Sequence, residues 1–122
     1  MSFKWTTNDI ATMTISIYET NITLNKAACR HFEDVTHVLL GFDDETNQIA
    51  IKPVTKEEID KEIYPASQLH RISLGKSYGR ITNKNFVEDI SQRFHFDFSN
   101  TQCFKYQAKF DVIHQMMIIQ LF

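Results

Sequence analysis

Two segments of this 122-residue chain carry the same residues in the same order. The first opens on Ile22-Thr23-Leu24-Asn25-Lys26 and the second on Ile81-Thr82-Asn83-Lys84. Each opening is followed by a helix-like stretch, then by a Phe-Asp pair, a turn and a Gln with apolar neighbours. The Phe-Asp pair and the Gln are at 42–43 and 48 in the first segment, and at 110–111 and 115 in the second. A module of strand, helix and hairpin that is used twice predicts a fold with internal pseudo-symmetry.

The composition favours one soluble domain. Hydrophobic residues make up 43% of the chain and aromatic residues 12%, enough for a core, whereas three Gly and two Pro argue against a flexible linker. The chain has no apolar run long enough for a membrane span and no secretory signal pattern, so we expect no membrane partner. We expect a cytoplasmic protein in which Cys29 and Cys103 are unpaired thiols.

Hydrophobic periodicity in the first half predicts strands with one short helix. Residues 11–18 alternate between apolar and hydroxyl side chains, as in a half-buried strand. Asn25 is a suitable cap for the helix, because its side-chain oxygen can accept from a free backbone amide. The predicted elements are strands at 11–18, 22–24, 37–42 and 48–54 and a helix at 26–32.

The second half predicts the same order with a longer helix. Thr55 and Glu58 fit a capping box for a connector helix that ends before Pro65. Asn85 and Glu88 predict the cap of a helix over 86–95 with apolar residues every four positions. Further strands are expected at 72–74, 104–111 and 116–122. The aromatic residues expected in the core are Phe94, Phe104, Tyr106 and Phe110.

These elements together predict a mainly β fold with short helices (α+β), built from two βαββ-like pseudo-repeats. We expect residues 1–54 to form an N-terminal half with a leading strand. Residues 55–66 are expected to be a connector helix or linker, and residues 67–122 a C-terminal half. The two halves are expected to share one core, because neither is long enough to bury a large one alone.

Charge is distributed unevenly along the chain, although the net charge is only −2. Residues 17–60 carry nine acidic and four basic side chains, whereas residues 61–122 carry eight basic and five acidic ones. No acidic residue lies between Ile63 and Val87, a stretch that contains four Lys or Arg residues. This stretch is the best candidate for contact with a polyanion, and a solvated strand and loop is the alternative interpretation.

The first repeat resembles the swapped-hairpin domain of the AbrB family. The resemblance rests on Ile22 to Phe32, then Val38 to Asp43, and then Ile49-Ala50-Ile51-Lys52-Pro53, which matches an Ile-x-Ile-x-Pro pattern in that family's hairpin. Two such modules in one chain resemble the tandem arrangement of the MraZ proteins. The resemblance implies an interlocked β-barrel that binds DNA. By position it implies DNA-binding roles for Lys26, Arg30, Arg80 and Lys84, and the acid-free stretch adds Lys76.

No catalytic or cofactor motif accompanies these cations. Gly75-Lys76-Ser77 resembles the end of a phosphate-binding loop, but His70 stands where that loop needs its first glycine. Cys29, His31 and His37 lack the paired spacing of a zinc site, so we expect a buried thiol and surface histidines. We therefore expect no enzyme, no cofactor and no metal.

Two functions remain open at this level. The first is a transcription regulator that contacts the phosphates of double-stranded DNA through the basic residues at the strand–helix junctions. The second is a non-enzymatic module of the same fold that binds a protein partner and no nucleic acid, which the acidic first repeat favours. Fusion of two halves permits a complete monomer, whereas exposed edge strands favour a homodimer.

Overall fold

A sheet of nine strands dominates the computed structural model, which describes residues 2–3 and 12–122. The strands are β1 (Thr14–Tyr18), β2 (Asn21–Asn25), β3 (His37–Asp43), β4 (Gln48–Val54), β5 (His70–Arg71), β6 (Ser73–Leu74), β7 (Tyr78–Thr82), β8 (Cys103–Asp111) and β9 (Met116–Gln120). The helices are α1 (Lys26–Cys29), α2 (Lys56–Asp60) and α3 (Lys84–Phe94), with 3-10 turns at Arg30–Phe32 and Ala66–Gln68.

The strand order makes this sheet a nearly closed barrel. The order is β5-β3-β4-β9-β8-β1-β2-β7-β6, and all neighbouring strands are antiparallel. The two outermost strands, β5 and β6, are separated in the chain by Ile72 alone, so the ends of the sheet meet there. The predicted fold class, mainly β with short helices and built as a small barrel, is confirmed.

Equivalent strands of the two repeats lie side by side. In the β2–β7 pair, Ile22 lies opposite Ile81, which are the residues that open the two repeats. In the β4–β9 pair, Ala50 lies opposite Ile118. Antiparallel pairing of equivalent strands places an approximate two-fold axis at each of these residue pairs. The repeat seen in the sequence is therefore expressed as pseudo-symmetry of the barrel.

The geometry of the two hairpin turns shows that the alignment of the repeats made from the sequence is wrong by one residue at this point. Asp43 Oδ1 accepts hydrogen bonds from the backbone N–H groups of residues 45 and 46, and Asp111 Oδ1 accepts from those of residues 113 and 114. Each turn ends on a left-handed residue, Asn47 (φ 57°) or Gln115 (φ 53°). Gln115 therefore corresponds to Asn47, and the sequence match of Gln115 with Gln48 is wrong.

The helix caps are two asparagines in equivalent positions. Asn25 Oδ1 accepts from the N–H of Ala28 at 3.1 Å, and Asn83 Oδ1 accepts from the N–H of Phe86 at 3.0 Å. The predicted cap at Asn85 is therefore wrong, and α3 begins at Lys84, two residues earlier than predicted. The capping box of α2 is confirmed, with both bonds between Thr55 and Glu58 formed.

Each repeat covers the hairpin of the other with its helical segment. The Phe94 ring of α3 packs edge-on against Phe42 of β3 at 6.3 Å, and the guanidinium of Arg93 lies 4.4 Å from the centre of the same ring. In the first repeat, the ring of His31 stacks on Phe110 of β8 at 4.0 Å. Phe42 and Phe110 hold equivalent places before their turns, so the two repeats interlock.

The barrel interior is filled by aliphatic side chains from both repeats and by Phe32, which is fully buried. The predicted burial of Phe94 is confirmed. Phe104 and Tyr106 are only half-buried, because they belong to an aromatic cluster with Phe96 at the side of the barrel. In that cluster the Phe104 ring lies 4.9 Å from the ring of Phe96. Phe110 is half-buried under the ring of His31.

Several element boundaries differ from those predicted. The strand predicted at 72–74 is two short strands on either side of Ile72, whose N–H bonds to the carbonyl of Thr36 at 3.0 Å. The last strand ends at Gln120 rather than at 122. The first begins at Thr14, and residue 11 of that prediction lies outside the described residues.

Among the described residues, no helix combines the length and the hydropathy needed to cross a membrane. Cys29 and Cys103 are both free thiols, the first buried and the second half-buried. Burial raises the pKa of Cys29, so its thiol stays protonated at neutral pH.

Candidate nucleic-acid interface

The outward side of β8 up to Lys109, together with the outward sides of β1, β2, β7 and β6, forms a surface without carboxylates, here called the acid-free face. Asp111, at the end of β8, and Glu19, in the turn after β1, lie at the limits of this face. Its central row crosses five strands, because Lys105 lies opposite Ser16, Ser16 opposite Thr23, Thr23 opposite Arg80, and Arg80 opposite Ser73. The alternate residues of the inner three strands, including Ile15, Leu24 and Ile81, point into the core. A second row lies on one side of the central row and consists of Gln107, Thr14, Asn25 and Tyr78. A third row lies on the other side and consists of Cys103, Tyr18, Asn21 and Thr82.

Arg80 occupies the middle of β7 on this face. Its guanidinium lies 5.6 Å from the centre of the Tyr78 ring, two residues away on the same side of the strand. None of the ion pairs found among the described residues involves Arg80. Arg80 is also exposed, so it is available to an external anion.

Lys105 is a cation of this face that sequence reasoning did not assign. It lies in β8, three strands away from Arg80, which corresponds to about 14 Å at the usual spacing of neighbouring strands. The alternation of β8 predicts that Lys105 points outward. The pairing of β8 with β1, which brings Lys105 to the same surface as Arg80, leaves no local signal in the sequence.

Three further cations assigned from the sequence lie around the β2–β7 ribbon. Lys26 directly follows Asn25, and Lys76 lies two residues before Tyr78, so both are near the Asn25–Tyr78 end of the ribbon. Lys84 begins α3 at the opposite end, about 20 Å away along the strands. Lys84 also has a carboxylate neighbour, Glu88, at 3.9 Å, but both side chains are exposed and the pair is weak.

Arg30 is exposed in the 3-10 turn that follows α1. It directly precedes His31, whose ring stacks on Phe110 of the β8–β9 hairpin. Arg30 therefore lies on the flank that faces that hairpin rather than in the row of Arg80 and Lys105. The structure brings together Lys26, Lys76, Arg80 and Lys105 at or beside one face, with Lys84 at its far end.

Polar grooves on the acid-free face offer hydrogen-bonding groups between the cations. One groove of about 450 Å³ is lined by Tyr18, Asn21, Thr23, Tyr78 and Arg80. It shares Tyr18 and Asn21 with a second groove of about 670 Å³, which leaves the acid-free face past Glu19 and extends to the loop of residues 98–102. Hydrogen bonding to the Cys103 side chain raises the pKa of Tyr18, so the Tyr18 hydroxyl remains a neutral donor at pH 7.

Metal-binding side chains are dispersed in the part of the chain that the structure describes. No three His, Cys, Asp or Glu residues there lie close enough together to hold a metal ion. Cys29 is buried and bonds to the carbonyl of Leu24 at 3.6 Å, whereas His31 stacks on Phe110. The Cys29 thiol and the His31 ring therefore both make packing contacts within the protein.

The strand–helix junction of the second repeat is fixed by a histidine. Asn83 uses Oδ1 to cap α3, and its Nδ2 lies 2.8 Å from Nδ1 of His70 in β5. Because the amide nitrogen of Asn83 is the donor, Nδ1 of His70 must be the acceptor, which requires a neutral ring. Burial also lowers the pKa of His70. Neutral His70 therefore links β5 to the junction that carries Lys84.

This link predicts a loss of stability in acid. Because the folded-state pKa of His70 is below its unfolded value, the unfolded chain binds the proton more readily, and the stabilisation present above pH of about 6.5 is lost as pH falls. We expect denaturant unfolding to show a larger loss between pH 7 and pH 5 for the natural protein than for His70→Gln. An equal loss in both proteins would contradict the assignment.

Comparison with known proteins identifies no relative: no family model, no curated protein and no solved structure matches this chain.

Proposed function

We propose that this protein is a DNA-binding transcription regulator that holds double-stranded DNA against the acid-free face. The single observation that carries the proposal is the position of Arg80, which is exposed, unpaired by any described carboxylate, and in the same row of the acid-free face as Lys105. Phosphate contacts by Arg and Lys supply most of the affinity for duplex DNA, and hydroxyl and amide groups add further phosphate contacts.

The dimensions of the face suit a duplex. The approximately 14 Å between the backbones of Arg80 and Lys105 is close to the width of the major groove, about 12 Å, so the two cations can contact phosphates on opposite sides of that groove. Lys26 and Lys76 extend the cationic surface at one end of the β2–β7 ribbon, and Lys84 extends it at the other. The resemblance of the repeats to the AbrB family supports the same role.

The proposal is tested by fluorescence anisotropy with a labelled 24-base-pair duplex. Five phosphate contacts give a slope of about −4.5 in log affinity against log salt, or a loss of about 500-fold between 50 and 200 mM NaCl. Arg80→Glu is expected to weaken binding at least tenfold and to reduce the slope by about 1 or more.

A matched control separates this site from general charge. Lys56→Glu makes the same change at the first residue of α2, outside the acid-free face, and should leave the affinity within about twofold. The proposal fails if the folded protein does not bind the duplex at 50 mM NaCl, or if both variants weaken binding equally. Absence of binding would favour the protein-interaction module.

A further inference from the structure

Among the residues that the structure describes, one edge of β3 has a neighbouring strand at only two positions. β3 pairs with β4 from His37 to Asp43, but on its other side only His37 and Val38 pair, with the two residues of β5. Within residues 12–122, no strand pairs with this edge at positions 39–43. The edge is therefore open for about five residues.

β5 stops because the chain before it turns away from β3. Extension of the β3–β5 register would bring residues 67–69 opposite residues 39–41. Those residues instead belong to a 3-10 turn, in which Gln68 N–H bonds to the carbonyl of Pro65 at 2.9 Å and Leu69 N–H to that of Ala66 at 3.2 Å. The turn leaves a gap in line with β5.

The backbone of β3 presents hydrogen-bonding groups to this gap. The carbonyl of Thr36 points to the β5 side, since it accepts from the N–H of Ile72 at 3.0 Å. Backbone groups alternate between the two edges of a strand with a period of two, so Leu40 and Phe42 turn their N–H and C=O groups to the same side. An edge of this kind is a template for an added strand.

A groove of about 430 Å³ lies beside these groups. Its apolar lining comes from β3, β4 and β9, and Ser67, Gln68 and His70 supply polar groups from the opposite side. Lys52 supplies the positive charge in the lining, and its ammonium donates to the carbonyls of His114 and Gln115 at 2.8 and 3.3 Å. A side chain added at Gly41 would meet nothing within 4 Å, so the groove has open space for a side chain. The apolar lining residues are Leu39, Leu40, Gly41, Ala50 and Met116.

The length of the open edge favours a single peptide strand over the sheet of a second copy. The 3-10 turn at 66–68 closes one end of the edge, and the ion pair of Arg93 with Asp44 at 3.4 Å lies at the other. Five residues of strand span about 17 Å between these ends. A slender extended segment fits there, whereas a second folded barrel would meet both flanking structures.

We propose that the open edge of β3 binds an extended peptide of a partner protein as an added antiparallel strand, in line with β5. Main-chain bonds to Leu40 and Phe42 supply affinity, and alternate side chains of the peptide supply specificity. One apolar side chain occupies the space over Gly41, and Lys52 favours an acidic residue nearby. The acid-free face uses other strands, so this site is independent of the proposed DNA binding.

The test begins with selection of a random decapeptide library displayed on phage against the natural protein. We expect enriched peptides with alternating apolar residues. One synthetic peptide from the selection is then titrated into the protein, followed by anisotropy and by hydrogen exchange. The backbone amides of Leu40 and Phe42 should become protected at least tenfold on binding.

Two glycine variants provide a matched comparison. Gly41→Val fills the groove without a clash and should weaken peptide binding at least tenfold, while duplex DNA binding is unchanged. Gly75→Val makes the same substitution at a position with only an ordinary contact, 3.4 Å to the carbonyl of Tyr78, and should leave peptide affinity unchanged.

Four outcomes would overturn the proposal. These are a selection that enriches no peptide, equal affinity of the peptide for the natural protein and Gly41→Val, protection that appears at amides other than Leu40 and Phe42, and self-association of the protein through β3 in place of peptide binding. If Gly41→Val does not fold, the exchange pattern of the natural protein decides the question alone.

Discussion

Replacing Phe32 with alanine is expected to lower the free energy of unfolding by about 4 kcal/mol. Phe32 closes the 3-10 turn after α1 and is fully buried among the aliphatic residues of both repeats. Its removal exposes no new polar group but leaves a cavity that neighbouring strands cannot fill without losing their register. Denaturant unfolding should show a lower midpoint, and thermal unfolding a melting temperature lower by about 16 °C.

A second phenylalanine provides the control for this prediction. Phe122 is 75% exposed, so Phe122→Ala removes the same atoms from a position with little packing and should change stability by less than about 0.5 kcal/mol. A small loss for Phe32→Ala would mean that the helical segment of the first repeat does not share the core of the barrel. Such a result would contradict the interlocked arrangement of the two repeats.

Local signals in the sequence were sufficient for much of the fold. The strand Gln48–Val54 was predicted at its observed bounds, because an alternating segment follows a turn rich in Asp and Asn and ends after Pro53. The capping box at Thr55 and the cap at Asn25 were also correct, since both depend on residues three positions apart. The mainly β class followed from these elements, whereas the prediction of a barrel depended on the resemblance to the AbrB family.

The errors arose where two local signals compete. Asn83 precedes α3 and Asn85 lies in its first turn, and each is an acceptable cap by residue type. The Nδ2 group of Asn83 also bonds to His70, thirteen residues away, and this tertiary contact selects Asn83. The alignment of Gln48 with Gln115 failed for a similar reason, because the left-handed ends of the two turns, rather than residue identity, define equivalence.

The candidate site was only partly predictable for the same physical reason. Lys76 was identified from a stretch that lacks acidic residues, which is a local property. Arg80 lies in the same stretch and was assigned by the resemblance to the AbrB family. Lys105 joins Arg80 on one face only through the pairing of β8 with β1 and of β2 with β7. Such pairings between distant segments are set by the closure of the whole barrel. The role of these cations in DNA binding stays a prediction.

The open edge of β3 illustrates the same limit. Residues 39–43 have the composition of an ordinary strand, and nothing in them indicates a missing neighbour. The gap exists because the 3-10 turn at 66–68, far away in sequence, ends β5 after two residues. Pro65 begins that turn and cannot donate a backbone hydrogen bond, which disfavours a longer strand.

Replacing Asn25 with alanine is expected to lower the free energy of unfolding by about 3 kcal/mol, because one side chain ties three segments together. Asn25 Oδ1 accepts from the N–H groups of Ala28, at 3.1 Å, and Thr14, at 3.0 Å. Its Nδ2 donates to the carbonyl of Thr12 at 2.7 Å. Alanine removes the cap of α1 and also leaves the first residue of β1 without an acceptor. The loss is measured by denaturant unfolding.

Asn25→Asp separates the acceptor role from the donor role. Aspartate retains the oxygen that serves Ala28 and Thr14. It loses the exposed bond to Thr12 and turns a carboxylate oxygen towards that carbonyl, a repulsion that water screens at this exposed position, so we expect a loss of less than about 1 kcal/mol. Similar large losses for both variants would show that the donor bond to Thr12 dominates. Similar small losses would show that the junction of β2 and α1 does not anchor β1. Only a large loss confined to alanine supports Asn25 as the link between the leading strand and the first repeat.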